Sequence, residues 1–335
     1  MIFEPKVGII IANWNRPFDT IECIKSLFDM DYKNFHIILL DNGSSDNSLD
    51  LILDNFNGYV FELDIANREI NNLILSLNNS EYFNVILNNL KRDDVSIVRG
   101  LITIIKLNKN VGYAKANNIA IKICLNIMNP DYLWLLNNDT VVDKKSLTNL
   151  VSEAENDKSA LLLGSKILNY YKKNIIDSAG GRINTLIGRV RHIGFNEPDD
   201  GRYNVSKYVD YVTGCSVLVR KLAIGKIGYI PEDYFLYFED TEWCIKARKL
   251  GYRVKYIPSS IVYHKISKST NRMTRNYYFA LNNLKFEKKN YPYFFPVALF
   301  YWVIRFLCIP FFKNEYKDIA VHFKAFIKFL NLKIP

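Results

Sequence analysis

Short apolar runs alternate with segments of helical period through the first 140 positions, and each run stops at a polar cluster. Val7 to Ala12 is β-branched and wholly apolar, as a strand buried on both faces must be. Ile21, Ile24, Leu27 and Phe28 follow at helical spacing, behind Pro17 and Asp19 as a helix start. His36 to Leu40 predicts a second strand, ending in Asp41-Asn42-Gly43-Ser44-Ser45-Asp46. Ile102 to Leu107 predicts another, followed by Asn110-Val111-Gly112-Tyr113 and a helix to about Met128. Tyr132 to Leu136 is a further apolar strand, and Asn137-Asn138-Asp139 closes it. Strands alternating with helices over short links predict an α/β fold with a doubly wound, mostly parallel sheet.

The pattern loosens between residues 57 and 100, where Asn and Leu dominate and Ile70, Leu73, Ile74 and Leu77 mark one amphipathic helix. This stretch reads as an insertion whose simplest role is surface embellishment. Leu161 to Val219 is strand-like with glycine-rich turns, Glu239 to Leu250 is helical, and Val254 to Ile257 is a strand. Near Asn290 the character changes. Tyr291 to Phe312 is almost entirely apolar and aromatic, interrupted by Pro292, Pro296, Arg305 and Pro310. The final segment sets Ile319, Phe323, Phe326, Ile327 and Leu330 on one helical face, with Lys317, Lys324 and Lys328 elsewhere. Residues 1–270 thus form the expected main domain, with 57–100 inserted into it, and 271–335 a helical, apolar and basic extension.

Composition narrows the partners. A chain of 335 residues with 49% apolar content buries a large core. Its net charge of +10 and pI near 9.1 call for an anionic partner. Lysine and arginine are dispersed rather than clustered, which argues against nucleic acid. Five widely spaced cysteines fit neither a disulfide framework nor a zinc site, and the start of the chain lacks a signal-peptide pattern. Both features point to the cytoplasm.

Ligands of open α/β sheets gather beyond the carboxyl ends of the strands, which is where the polar clusters fall. Each cluster also has a purely structural reading. Asn137-Asn138-Asp139 and Asp41-Asn42-Gly43-Ser44 are ordinary turns, the latter able to cap the next helix. Glu239, Asp240 and Glu242 fit an acidic first helical turn. Trp14 fits a core aromatic, and His264 a satisfied histidine at a strand end.

The ordered set adds information that no single motif holds. Asp41 to Ser44, Asn110-Val111-Gly112-Tyr113 with Asn117-Asn118, Leu136 to Thr140, Val212-Thr213-Gly214-Cys215, Tyr237-Phe238-Glu239-Asp240 and Pro258 to His264 resemble glycosyltransferase family 2, the inverting GT-A group, and most closely its rhamnosyltransferase-like branch. The resemblance covers roughly residues 5 to 290 apart from the insertion. It implies a GT-A fold and transfer of a sugar from a nucleotide-diphosphate donor to a glycan or lipid-linked acceptor in surface polysaccharide synthesis. By the same resemblance Asp139 and His264 hold Mn²⁺ or Mg²⁺, a histidine beside a carboxylate leaning toward manganese. Asp41 contacts the base and Asn137 the ribose. Ala12, Asn13, Asn15, Gly112, Lys115, Asn117 and Asn138 complete the donor site. Asp240 becomes the general base and Glu239 supports it, while Gly214 and Trp14 border the acceptor. One departure is visible: where the family often has Arg before Asn, this chain has Leu281-Asn282, so Lys265, Arg272 or Arg275 must supply that charge.

Tyr291 to Phe312 is long enough to span a bilayer, which takes about 20 apolar residues, but Arg305 and the prolines oppose spanning. The plain alternative is a pair of soluble core helices; an aromatic hairpin with a basic amphipathic tail, lying peripherally on the cytoplasmic face of the membrane, is preferred and suits a lipid-linked acceptor. Two rival functions are a nucleotidyltransferase and a non-catalytic nucleotide-sugar-binding protein. Asn13-Trp14-Asn15-Arg16 lacks the glycine-rich phosphate loop that the first requires, and intact Asp139, Asp240 and His264 oppose the second.

Overall fold

A computed structural model describes residues 4–56, 58–63, 102–266, 271–312 and 316–332. Five parallel strands form one half of a large sheet: β1 (Val7–Asn13), β2 (Phe35–Asp41), β3 (Gly58–Leu63), β4 (Ile102–Leu107) and β5 (Tyr132–Asn137). They lie in the order β5-β1-β2-β4-β3, every neighbouring pair parallel. The connections α1 (Pro17–Phe28), α2 (Ser48–Asn55) and α3 (Tyr113–Met128) are the crossovers that parallel pairing needs.

The sheet then turns mixed. After β6 (Thr140–Val142) and α4 (Ser146–Asn156) come β7 (Ala160–Asn169), β8 (Ile176–Ser178), the hairpin β9 (Gly181–Asn184) and β10 (Arg189–His192), β11 (Lys207–Tyr208) and β12 (Ser216–Arg220). Two helices, α5 (Lys221–Ile227) and α6 (Glu239–Lys249), precede β13 (Arg253–His264). β12 runs antiparallel between β5 and β7, and β13 runs parallel to β7.

Burial follows the strand period. Ile10 faces a core shared with α3, α5 and α6, while Ile9 and Ile11 face one shared with α1 and α4. The apolar runs are therefore buried from both sides, as their lack of alternation requires.

Within the stretch 57–100, expected as an insertion, Gly58–Leu63 forms an edge strand paired along its whole length with β4. The remainder, 64–101, with its expected amphipathic helix, lies outside the described residues. Contrary to expectation, Tyr291 to Phe312 is not a hairpin. It is one helical run, α8 (Phe295–Val303), a π-helical turn (Ile304–Cys308) and α9 (Ile309–Phe312), followed by α10 (Tyr316–Leu330).

The prolines are accommodated locally. Pro296 lies in the first turn of α8, where its missing N–H costs nothing. Pro310 has no N–H to give the Phe306 carbonyl four residues back; His322 Nδ1 of α10 donates to that oxygen instead, at 2.8 Å. Arg305 stacks its guanidinium over Phe279 and Phe306, at 5.7 and 5.0 Å from their ring centres. These helices pack on α7 (Arg272–Asn290) through Leu281, Leu284, Trp302, Phe306, Ala325 and Phe329. The core face of α10 is thus Ala325 and Phe329 with Asp318 and His322, whereas Phe323, Ile327 and Leu330 point outward. Among the described residues no helix is long and apolar enough to cross a membrane.

Candidate active site

The polar clusters converge because β1, β2 and β5 are parallel and in step. Asn13 stands opposite Asp41, and Ala12 opposite Asn137. Asn13 is the hub. Its Nδ2 donates to Asp41 Oδ1 (2.8 Å) and Ser44 Oγ (3.2 Å), and its Oδ1 accepts from Thr20 Oγ1 (2.8 Å) and Asn138 Nδ2 (3.3 Å). Ser44 N donates to Asp41 Oδ2 at 3.1 Å, so Asp41 closes its own turn as well. Asn15, at φ 53°, exchanges hydrogen bonds with the Ser44–Ser45 turn. Trp14 projects from that loop with 42% of its surface exposed, so it is no core aromatic.

Gly43 has a steric reason. A Cβ there would stand 2.4–2.5 Å from backbone atoms of Lys109, and its φ is +70°. The loop carrying Asp41 thereby rests directly on the loop leading to Gly112, the residue capping α3. Asn42 stitches the two together, donating to Asn110 Oδ1 (3.1 Å) and accepting from Val111 N (3.0 Å). Lys115 is half-buried on the first turn of α3, and Asn117 is buried, donating to Tyr113 O of its own helix at 2.9 Å.

Asp139 and His264, separated by 125 positions, meet because β13 pairs antiparallel with β6, His264 opposite Thr140. His264 Nε2 lies 3.3 Å from Asp139 Oδ1, and its Nδ1 lies 2.8 Å from Asp177 Oδ2 on β8. Burial alone would lower the imidazole pKa, but the hydrogen bonds and charges of Asp139 and Asp177 raise it to about 10. A negative slot that stabilises a positive charge suits a divalent cation for the same electrostatic reason. Two facing donors with the far imidazole nitrogen held by a carboxylate is the usual arrangement around a histidine-bound metal. Among the described residues no group of three or more His, Cys, Asp or Glu forms a complete metal cage.

Asp240 starts α6 and is tied back to the strand ends. Gly214 N donates to Asp240 Oδ2 at 2.8 Å, and the next carbonyl, of Cys215, accepts from Asn137 N at 3.0 Å. Tyr113 OH donates to Gly214 O at 2.8 Å. Burial pushes the Tyr113 pKa well up, and the charges of Glu239, Asp240 and Asp139 add to it, so one phenol senses all three carboxylates. Glu239 is buried, and among the described residues its Oε2 has no hydrogen-bond partner. Burial first, then the Asp240 charge, raises its pKa to about 8, leaving it protonated near neutrality.

The segment before α6 is strained. Tyr237 and Phe238 both adopt left-handed backbone, at φ 69° and 75°. α7 holds it there: Asn282 Nδ2 donates to the carbonyls of Leu236 (2.8 Å) and Tyr237 (3.3 Å), and Lys289 pairs with Asp233 and Glu242. Of the three cations expected to replace the missing arginine, Lys265 pairs with Asp19 and Glu22, and Arg272 with Asp318. Arg275 is exposed and places its charge beside Tyr237. Asp177 and Asn282 escaped the sequence reading of the site. Asp177 belongs to no motif, and the only signal for Asn282 was its place in the segment whose arginine is missing.

A doubly wound sheet turned mixed, with its carboxylates collected at one strand-end edge, is the GT-A architecture of sugar transferases. The family model described as glycosyl transferase family 2 matches residues 8–79 and 65–228, and the chain belongs to that family. It is similar to the low-salt glycan biosynthesis hexosyltransferase Agl10 of Haloferax volcanii, at 27% identity over 140 residues, 42% of this chain and 44% of that one. Similarity to the N-acetylglucosaminyl-diphospho-decaprenol L-rhamnosyltransferase of Mycobacterium tuberculosis reaches 38% over 64 residues, 19% and 21% of the two chains. These matches thus span less than half the length of either curated relative. Among solved structures, the mannosyltransferase PcManGT from Pyrobaculum calidifontis, in complex with GDP-Man and Mn²⁺, superposes with a TM-score of 0.54 at 13% identity, covering 97% of this chain and 74% of that one. The expected family and fold are borne out.

Proposed function

We propose that this chain is an inverting, metal-assisted glycosyltransferase that moves a sugar from a nucleotide diphosphate to a hydroxyl of a glycan or lipid-linked acceptor. One observation carries the reading: the Asp139–His264–Asp177 cluster and the Asp240 carboxylate lie at the same strand-end edge, linked through Gly214, Cys215 and Asn137.

Asp41 and Asn137 take the base and ribose, with Ala12, Asn13, Asn15, Gly112, Lys115, Asn117 and Asn138 shaping the donor site. Asp139 and His264 would hold a divalent cation, which would supply Lewis-acid stabilisation of a diphosphate leaving group. Asp177 fixes the His264 ring so that Nε2 faces Asp139. Asp240 accepts the proton of the acceptor hydroxyl as its oxygen attacks the anomeric carbon. That carbon–oxygen bond forms on the face opposite the bond to the diphosphate, which breaks and leaves with its electron pair. Protonated Glu239 adds no second negative charge beside the base. Gly214 and the exposed Trp14 border the acceptor, and exposed Arg275, for which no ion pair is seen among the described residues, is the candidate cation for phosphate.

The name of the mycobacterial relative, a transferase onto a diphospho-decaprenol, supports an acceptor carried on a membrane lipid and hence a membrane-peripheral position. Incubating the protein with a panel of nucleotide sugars, Mn²⁺ and candidate acceptors tests the reading. One donor should be consumed, with transfer reduced about 10²–10⁴-fold in Asp240→Asn. Full turnover in that variant removes Asp240 as the base, and silence across all donors removes the transferase.

A further inference from the structure

Among the described residues, the C-terminal helices expose apolar side chains along their outward faces. On α10, Tyr316, Ala320, Phe323, Ile327 and Leu330 fall within an arc of about 80° at 3.6 residues per turn, and all five are exposed. The opposite side of the helix is the one packed on α7 and α8. Lys317, Lys324 and Lys328 are exposed along the border between the two faces. A second stripe runs along α8 and into the π turn: Val297, Phe300 and Ile304 are exposed, preceded by Tyr293 and Phe294 and followed by Phe311 and Phe312. A helix with an inward core face needs no second apolar face for folding, and exposed apolar stripes of this kind mark a contact surface.

Charge selects the occupant. Residues 271–335 carry eleven Lys and Arg against three Asp and Glu, so most of the net +10 resides in this segment. A second copy would bring the same positive charge to the interface and be repelled. An anionic bilayer offers acyl chains for the aromatic residues and negative headgroups for the flanking lysines.

We infer that the outward faces of α8 and α10 dock on an anionic lipid surface. The body that docks is also the one that holds the catalytic loop. α7 packs against α8 and α10, while its Asn282 and Lys289 fix the segment leading to Asp240. Docking therefore presents the site to an acceptor borne by the same membrane. This last step rests on the transferase reading, but the docking itself does not.

The full chain should float with vesicles of phosphatidylcholine containing phosphatidylglycerol, and far less with phosphatidylcholine alone. The triple variant Phe300→Ser, Phe323→Ser, Ile327→Ser should lose vesicle partitioning by about tenfold or more. Each of Lys317→Gln, Lys324→Gln and Lys328→Gln should weaken it about fivefold. Donor turnover with a water-soluble acceptor should stay at the wild-type rate in all of these, which shows that they fold. Equal binding by wild type and triple variant overturns the inference. So does a concentration-dependent dimer that the same substitutions abolish. Vesicle binding without sugar transfer would sink the transferase reading and leave the docking surface standing; transfer without vesicle binding would do the reverse.

Discussion

Asp177 makes the most exposed claim of the site, since nothing but geometry supports it. Its Oδ2 lies 2.8 Å from His264 Nδ1, and both side chains are largely withdrawn from water. A carboxylate there fixes the ring orientation and keeps Nε2 directed at Asp139, where a bound cation would take the place of the Nε2 proton. Removing such a partner typically weakens metal binding about 10–100-fold, equivalent to roughly 1.4–2.7 kcal/mol. Asp177→Ala should reach the upper part of that range, because His264 Nδ1 then loses its partner in a buried setting. Asp177→Asn keeps an acceptor but not the charge, and should fall in the lower part. Titrating Mn²⁺ in the presence of a nucleoside diphosphate, and following loss of the free-ion paramagnetic resonance signal, measures the affinity without needing turnover. His264→Ala serves as the reference. If His264→Ala weakens Mn²⁺ binding while Asp177→Ala leaves it within twofold of wild type, the positioning role is refuted. If neither changes it, the cation does not bind at this cluster.

Other outcomes follow from the same structure. Asn282→Ala should lower kcat/KM for the acceptor more than it lowers donor binding, since two loop carbonyls lose their donor and the cost is about 1–3 kcal/mol; equal effects on both substrates would contradict this. Gly43→Ala should destabilise the fold by about 1–3 kcal/mol and weaken nucleotide binding, because its methyl group would collide with the Lys109 backbone; calorimetry and nucleotide titration check both. Glu287 of α7 is buried, neither carboxyl oxygen has a hydrogen-bond partner among the described residues, and burial raises its pKa from 4.5 to about 8. The folded state thus keeps a proton that the unfolded chain releases. Its stabilising contribution is complete below pH 4.5, declines above it, and is lost by about pH 8. Glu287→Gln should remove up to about 1.4 kcal/mol per pH unit of that slope, and an unchanged pH profile of thermal melting would count against it.

The strands and their polar ends were legible because both signals are local: an apolar run, then residues that terminate it. Their convergence was legible only through the order of the motifs, since Asp139 meets His264 by a strand pairing that no short window contains. Asp177 was invisible for that reason, being one acid on a three-residue strand. The aromatic segment misled through its prolines, which ordinarily end helices. Pro310 was tolerated because His322, twelve residues on, replaces the hydrogen bond it cannot make. Gly58–Leu63 went unread because its partner β4 follows an interval of 38 residues, 64–101.

The bond from Asn282 to the strained aromatic pair has a practical consequence for building hybrids. Tyr237 and Phe238 hold an unfavourable backbone that a helix more than thirty positions later secures. A crossover placed in the interval between α6 and α7, although it looks like a natural seam, would join the loop from one parent to the brace from another. Residues from Asp233 through Lys289 should therefore be exchanged as a single cassette.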